Sequence, residues 1–186
     1  MLKIVCEGNT DKNKISEILE FLEIPYNDNH FIIAGNKQNL LNKDIVEYRV
    51  LKQEVESGIV FKILFLVDVD FVKDDITHGY ENTQARVVQL RKDLDIVEIS
   101  DYYLLCDLKT NEGYLESLLL STVSDAVKKC FEELLECKEL NDKHNHKNIL
   151  EEFYRISKPD TPYDFNHPNF NELKKKLTDL FKENNE

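Results

Sequence analysis

Carboxylates follow three of the apolar segments in this 186-residue chain. Glu7 ends the first segment, Asp68 and Asp70 end the third, and Asp107 ends the fourth. Because the carboxyl ends of parallel strands converge at one edge of a sheet, we expect these side chains to share a crevice. Carboxylate oxygens are hard ligands that suit Mg²⁺ or Mn²⁺. The spacing therefore predicts an acidic site for a divalent cation.

Two further inferences concern the geometry of this site. Strand side chains alternate, so Asp68 and Asp70 are expected to point to the same side and to share one cation. Gly113 and the apolar periodicity after it predict that residues 109–116 form a loop into a helix, which would bring Glu116 near the other acids. A first-turn glutamate that stabilises the helix dipole is the alternative for Glu116.

A purely structural interpretation of the acids remains open. Acidic residues often solvate strand ends. Crowded carboxylates repel one another unless a cation or a lysine compensates them, and Lys73 and Lys109 are the candidates for that compensation.

The elements that position these residues alternate between strand and helix. The run 59–67 is almost continuously apolar and β-branched, as in a central parallel strand covered by helices on both faces. We therefore predict an α/β fold with an open, mainly parallel four-stranded sheet flanked by helices. The pattern predicts strands at 3–6, 31–33, 59–67 and 102–106, and helices at 11–23, 41–58, about 87–94 and 115–134.

The last quarter of the chain is predicted to add helices near 142–157 and 169–183. The length fits one substantial core. We therefore expect an α/β domain over 1–137 and a helical extension over 138–186 that packs on the same domain.

Composition limits the function classes. The net charge of −12 opposes tight non-specific binding to nucleic acid, and Lys174-Lys175-Lys176 is the one dense basic cluster, more typical of a solvated helix face. The four cysteines lack metal-ligand spacing, which disfavours a zinc site. No apolar run is long enough for a membrane span or a signal peptide, so we expect a cytoplasmic protein without membrane contact.

Two motifs resemble a known family. Val5-Cys6-Glu7-Gly8-Asn9-Thr10-Asp11 is similar to the Toprim pattern of a strand, a glutamate, a glycine and a nearby aspartate, and Phe65-Leu66-Val67-Asp68-Val69-Asp70 is similar to its Asp-x-Asp strand. The segments 104–120 and 163–170 also resemble a stand-alone, uncharacterised Toprim-like family of unknown function.

The resemblance implies a Toprim-like, Rossmann-like fold and a Mg²⁺-dependent activity. In Toprim enzymes the glutamate is a general acid or base, or a second-metal ligand, and the two aspartates hold the divalent ion. On this resemblance, Glu7 would be the general acid or base or the second-metal ligand, and Asp68 and Asp70 would hold the divalent ion. Glu116 would match an additional acid of the nuclease branch. Gly8 and Asp11 would support the site. The chain has no room for the extra modules of topoisomerases or primases.

Other catalytic motifs find no support in the sequence. There is no phosphate-binding loop and no dinucleotide fingerprint, and His144 and His146 are spaced wrongly for one helical face. A receiver domain would need five strands and an acidic pair after the first strand. This sequence predicts four strands and has only Glu7 at that place, which disfavours a receiver domain. The leading hypothesis is metal-dependent hydrolysis of DNA or RNA, alone or beside a partner ATPase. The rival is a non-catalytic Toprim-like module that binds a partner protein or a ligand.

Overall fold

The structure, a computed structural model, describes residues 1–135, 149, 152–153, 155–156 and 163–182. Four strands and seven α-helices lie within these residues. The strands are β1 (Leu2–Cys6), β2 (Phe31–Ile33), β3 (Lys62–Asp68) and β4 (Ser100–Leu105). The helices are α1 (Asn9–Phe21), α2 (Lys37–Leu40), α3 (Val46–Glu56), α4 (Tyr80–Asp93), α5 (Leu115–Leu120), α6 (Asp125–Leu135) and α7 (Asn171–Phe181).

The four strands form one open, parallel sheet in the order β2-β1-β3-β4. Val5 pairs with Phe65 across β1 and β3, and Asp68 pairs with Leu105 across β3 and β4. The carboxyl ends of these three strands therefore lie side by side, as the sequence predicts. The α/β class and the flanked parallel sheet are confirmed.

Helices cover both faces of the sheet because β3 is apolar on both sides. Leu64 and Leu66 pack into a core with α1, α5 and α7, whereas Phe65 and Val67 pack into a second core with α2, α3 and α4. Phe65 is fully buried. A strand buried on both faces needs no polar alternation, which explains the continuous apolar run.

Two predicted helices differ from the structure in extent: one is shorter than predicted and the other is interrupted. The segment predicted as 41–58 holds α3 alone, because the Asn42 side chain accepts the Asp44 N–H at 3.1 Å and forms a local turn. The long helix predicted at 115–134 is interrupted between α5 and α6. There the hydroxyls of Ser121 and Thr122 donate to the carbonyls of Leu118 and Leu119 at 2.6 and 2.7 Å, and such bonds compete with helix continuation.

The carboxyl-terminal helix belongs to the first of the two cores. Its buried leucines, Leu173, Leu177 and Leu180, share that core with Leu64 and Leu66. The helix predicted at 169–183 is thus confirmed as α7. Most of the helix predicted near 142–157 lies outside the described residues, and so does the predicted boundary between 137 and 138.

Candidate functional site

Asp68 is the most enclosed of the predicted acids. It is the last residue of β3 and 1% exposed. Its Oδ1 accepts the N–H of Leu115, the first residue of α5, at 3.0 Å. This bond fixes the carboxylate toward the face of the sheet that α5 covers. A buried carboxylate requires such a partner, because an unsatisfied one would be costly.

Glu7 follows β1 directly and is half-buried at the start of the turn into α1. Its carbonyl accepts the N–H of Gly35 at 2.7 Å, which ties the turn to the residues after β2. Gly8 is the N-cap of α1, and Asp11 accepts the Gly8 N–H at 2.9 Å. Asn9 is the first residue of the helix. The structure gives Gly8 and Asp11 a role in shaping the turn that carries Glu7.

The Cys6 thiol lies among three of these carboxylates. Burial raises the pKa of Cys6, and the charges of Asp11, Glu7 and Asp68 raise it further. The thiol lies 3.7 Å from the Gly8 carbonyl, to which it donates. Glu7 and Asp68 thus lie at the ends of the adjacent strands β1 and β3, Asp11 lies in the first turn of α1, and the charges of all three act on this thiol.

Asp70 lies outside β3 and does not follow its alternation. It adopts φ +61°, and its backbone forms an antiparallel bridge with Gly113. Its carboxylate pairs with the Lys37 ammonium of α2 at 3.0 Å, while Asp68 bonds to α5. The prediction that Asp68 and Asp70 point to the same side is therefore wrong, because Asp70 has left β3 and adopts a positive φ, so the alternation of the strand does not extend to it.

Asp107 has its own cation. One carboxylate oxygen pairs with Lys128 of α6, and the other accepts the backbone N–H of Lys109 at 2.8 Å. Asp107 is 5% exposed. It is therefore a buried structural ion pair that joins the end of β4 to α6.

Glu116 lies next to the residue that binds Asp68. It is in the first turn of α5, 3% exposed, and follows Leu115. The prediction that the loop before α5 leads Glu116 toward Asp68 is confirmed at the level of the backbone. Gly113 makes this approach close, since a Cβ there would lie 2.3 Å from the Ser117 Oγ.

The two lysines chosen from the sequence do not pair with the acids at the ends of the strands. Lys109 pairs with Asp125 at 3.1 Å, and the Lys73 ammonium lies 5.0 Å from the centre of the Phe71 ring. Lys37 and Lys128 take the predicted compensating role instead. No local motif marks these two lysines, because each meets its aspartate across more than 20 residues of sequence.

The donor chemistry at the edge suits a hard cation. Among the described residues, no three Asp, Glu, His or Cys side chains converge closely enough to form a complete protein cage for a metal ion. Mg²⁺ does not need such a cage, because it commonly binds one or two carboxylates together with water and substrate phosphates. Asp68 together with Glu7 or Glu116 would meet that requirement, whereas Asp70 is engaged by Lys37.

Comparisons with known proteins add no family assignment. No protein-family model matches the chain. Searches of curated proteins and of solved structures give no significant match. Within the described residues, no helix has the length and apolar character needed to cross a membrane.

Proposed function

We propose that this protein is a Mg²⁺-dependent phosphodiesterase of the Toprim type that acts on nucleic acid, with Glu7 and Asp68 as its central acids. Glu116 is the third acid of the proposed site. Asp70 is a conditional member, because it can contribute only when Lys37 releases it. Mn²⁺ would serve in place of Mg²⁺, since both prefer oxygen ligands.

The proposal is supported by the placement of Glu7 and Asp68. They lie at the carboxyl ends of the adjacent parallel strands β1 and β3, and the amide of Leu115, next to Glu116, orients Asp68. Open α/β sheets place ligands at this edge. A divalent cation there would reduce the mutual repulsion of the carboxylates, so the arrangement favours a cation-binding role over simple solvation.

The residues have distinct chemical tasks in this proposal. A divalent cation bound at the edge would polarise a phosphoryl oxygen of the scissile phosphodiester. Asp68 is oriented by the Leu115 amide and would hold that ion. Glu7 lies half-buried at the start of the turn into α1, and its carboxylate would hold or move the proton of the attacking water.

A second function is favoured by the ion pairs. Lys37 and Lys128 occupy the carboxylates of Asp70 and Asp107. A sheet edge neutralised by lysines needs no metal at those positions, and the net charge of −12 opposes unaided binding to nucleic acid. The alternative is therefore a non-catalytic module that acts with a partner protein, such as an ATPase.

A nuclease assay separates the two functions. The protein is incubated with single-stranded DNA, duplex DNA and RNA in Mg²⁺ or Mn²⁺, and the products are resolved on denaturing gels. We expect metal-dependent cleavage that falls at least about 100-fold in Asp68→Asn, the scale of losing a general acid or base or a metal contact. Asp107→Asn is the matched control, because Asp107 is also buried at the edge but pairs with Lys128.

The control defines the result that contradicts the proposal. If Asp68→Asn cleaves as fast as wild type, or if both variants lose activity equally while their melting temperatures match that of wild type, Asp68 has no special role. If no substrate is cleaved under any of these conditions, the non-catalytic module is supported.

A further inference from the structure

A pocket of about 500 Å³ opens beside the acidic edge, on the side of α2 and α4. Its wall includes three basic side chains, Lys37, His78 and Arg86, and two acidic ones, Asp70 and Asp75. Lys37 and Asp70 join this pocket to the proposed acid site, because they form the ion pair described above. The pocket is therefore a place where a substrate group could lie beside the acids.

Arg86 is a cation with no counterion among the described residues. It is exposed on α4, and its guanidinium makes no ion pair and no side-chain hydrogen bond in the described part of the chain. A guanidinium presents five N–H donors in a planar fork that matches phosphate oxygens. Its position in the wall of a concave pocket makes it available to an anion.

His78 contributes a second unused polar atom. Its Nδ1 is buried and has no hydrogen-bond partner among the described residues. Buried polar atoms are nearly always bonded, so this nitrogen is the atom of His78 that a ligand in the pocket would satisfy. Protonated on this nitrogen, the imidazole would donate to an anion.

The acidic residues of the wall are already engaged. Asp75 Oδ1 accepts both the N–H and the hydroxyl of Thr77 at 2.8 Å. Asp70 is paired with Lys37, whose ammonium also donates to the Val69 carbonyl at 2.8 Å. An ammonium has three donors, and the structure gives Lys37 two acceptors, so one donor remains for a ligand.

We propose that this pocket binds one phosphate group of a nucleic-acid strand, held by Arg86, His78 and the third donor of Lys37. That the phosphate belongs to nucleic acid rests on the proposed function, whereas the binding of a phosphate group rests on the residues of the pocket itself. Lys37 would keep its bond to Asp70 while its third donor contacts the phosphate.

The test measures binding without any divalent ion. Fluorescence anisotropy follows a labelled short oligothymidylate in EDTA, with the same oligomer carrying neutral methylphosphonate linkages as the uncharged control. We expect Arg86→Gln to weaken binding of the anionic oligomer about ten-fold and His78→Leu about five-fold, the scale of lost hydrogen bonds to a charged or polar group. Arg49→Gln is the matched control, since Arg49 is an exposed arginine on α3 outside the pocket, and binding should stay within about two-fold.

The outcomes separate this inference from the proposed function. Equal losses in Arg86→Gln and Arg49→Gln, or equal binding of the anionic and neutral oligomers, would overturn the phosphate site. Binding of inorganic phosphate, measured by calorimetry and lost in Arg86→Gln, without oligomer binding would keep the site and overturn its nucleic-acid source. Cleavage by Asp68→Asn and oligomer binding by Arg86→Gln are measured separately, and the binding assay contains no divalent ion. Either proposal can therefore fail without the other.

Discussion

Removing the Lys37 ammonium tests how the edge of the sheet is neutralised. Lys37→Met keeps most of the apolar stem and deletes the charge, so Asp70 loses its counterion. The Lys37 side chain is 9% exposed and that of Asp70 is 21% exposed. The substitution therefore leaves a carboxylate with little access to water and no cation beside it.

The size of the loss follows from this partial burial. Breaking a fully buried pair from one side costs about 3–5 kcal/mol, and exposed pairs contribute about 0–1 kcal/mol. The Val69 carbonyl keeps the Gly79 N–H at 3.2 Å as a donor, so it adds little to the cost. We expect a loss of about 2 kcal/mol, which lowers the melting temperature by about 4–8 °C in a chain of this size.

Urea denaturation followed by circular dichroism measures this loss. Lys43→Met is the control, since Lys43 is exposed and its ammonium forms no ion pair or hydrogen bond with the described residues, and it should change stability by less than about 0.5 kcal/mol. The double variant with Asp70→Asn should recover about 1 kcal/mol or more, because the stranded charge is gone. Equal midpoints for Lys37→Met and Lys43→Met would refute the ion pair as the element that neutralises Asp70.

Two further predictions concern the close contact at Gly113 and the buried thiols. Gly113→Ala should destabilise the fold by about 3 kcal/mol, because φ is +99° and the added Cβ would lie 2.3 Å from the Ser117 Oγ. Gly58→Ala is the control and should cost about 1 kcal/mol, because Gly58 has φ +73° but nothing within 4 Å of the added Cβ. Equal losses of stability in urea denaturation would contradict the contact at Gly113. Burial raises the pKa of Cys106 from 9.0 to about 11, so its contribution to folding is complete below pH 9 and is lost as the pH rises toward 11. Iodoacetamide at pH 8 should label Cys130, which is exposed, and reach buried Cys106 only on unfolding, as mass spectrometry of peptides would show.

Much of the fold could be predicted because it depends on local patterns. The continuous apolar run of β3 and the periodic leucines of α7 are visible in the sequence, and both elements are buried as expected. The interruption between α5 and α6 could not be predicted from periodicity. It depends on serine and threonine hydroxyls that bond backward to helix carbonyls, and such bonds leave the apolar spacing unchanged.

The residues of the candidate site could be predicted from the sequence, but the direction in which each side chain points could be predicted less well. Glu7, Asp68 and Glu116 lie at the expected edge because strand ends and a following helix fix them. Asp70 turns toward α2 because its backbone pairs with Gly113, 43 residues later, and adopts a positive φ. Period-2 alternation holds only inside a strand, so no pattern in the Asp-x-Asp motif reveals that its second residue has left β3.

The measurement that tests the central claim most directly is the melting temperature as a function of Mn²⁺ concentration. A cation that binds the native acids and not the unfolded chain contributes about 2.7 kcal/mol at 100 times its dissociation constant. We predict a rise of several degrees for wild type and for Asp107→Asn. The double variant Glu7→Gln, Asp68→Asn should melt higher than wild type without metal, because the repulsion is gone, and should not respond to Mn²⁺. A wild-type melting temperature that stays constant up to millimolar Mn²⁺ would contradict the cation site and favour the non-catalytic module.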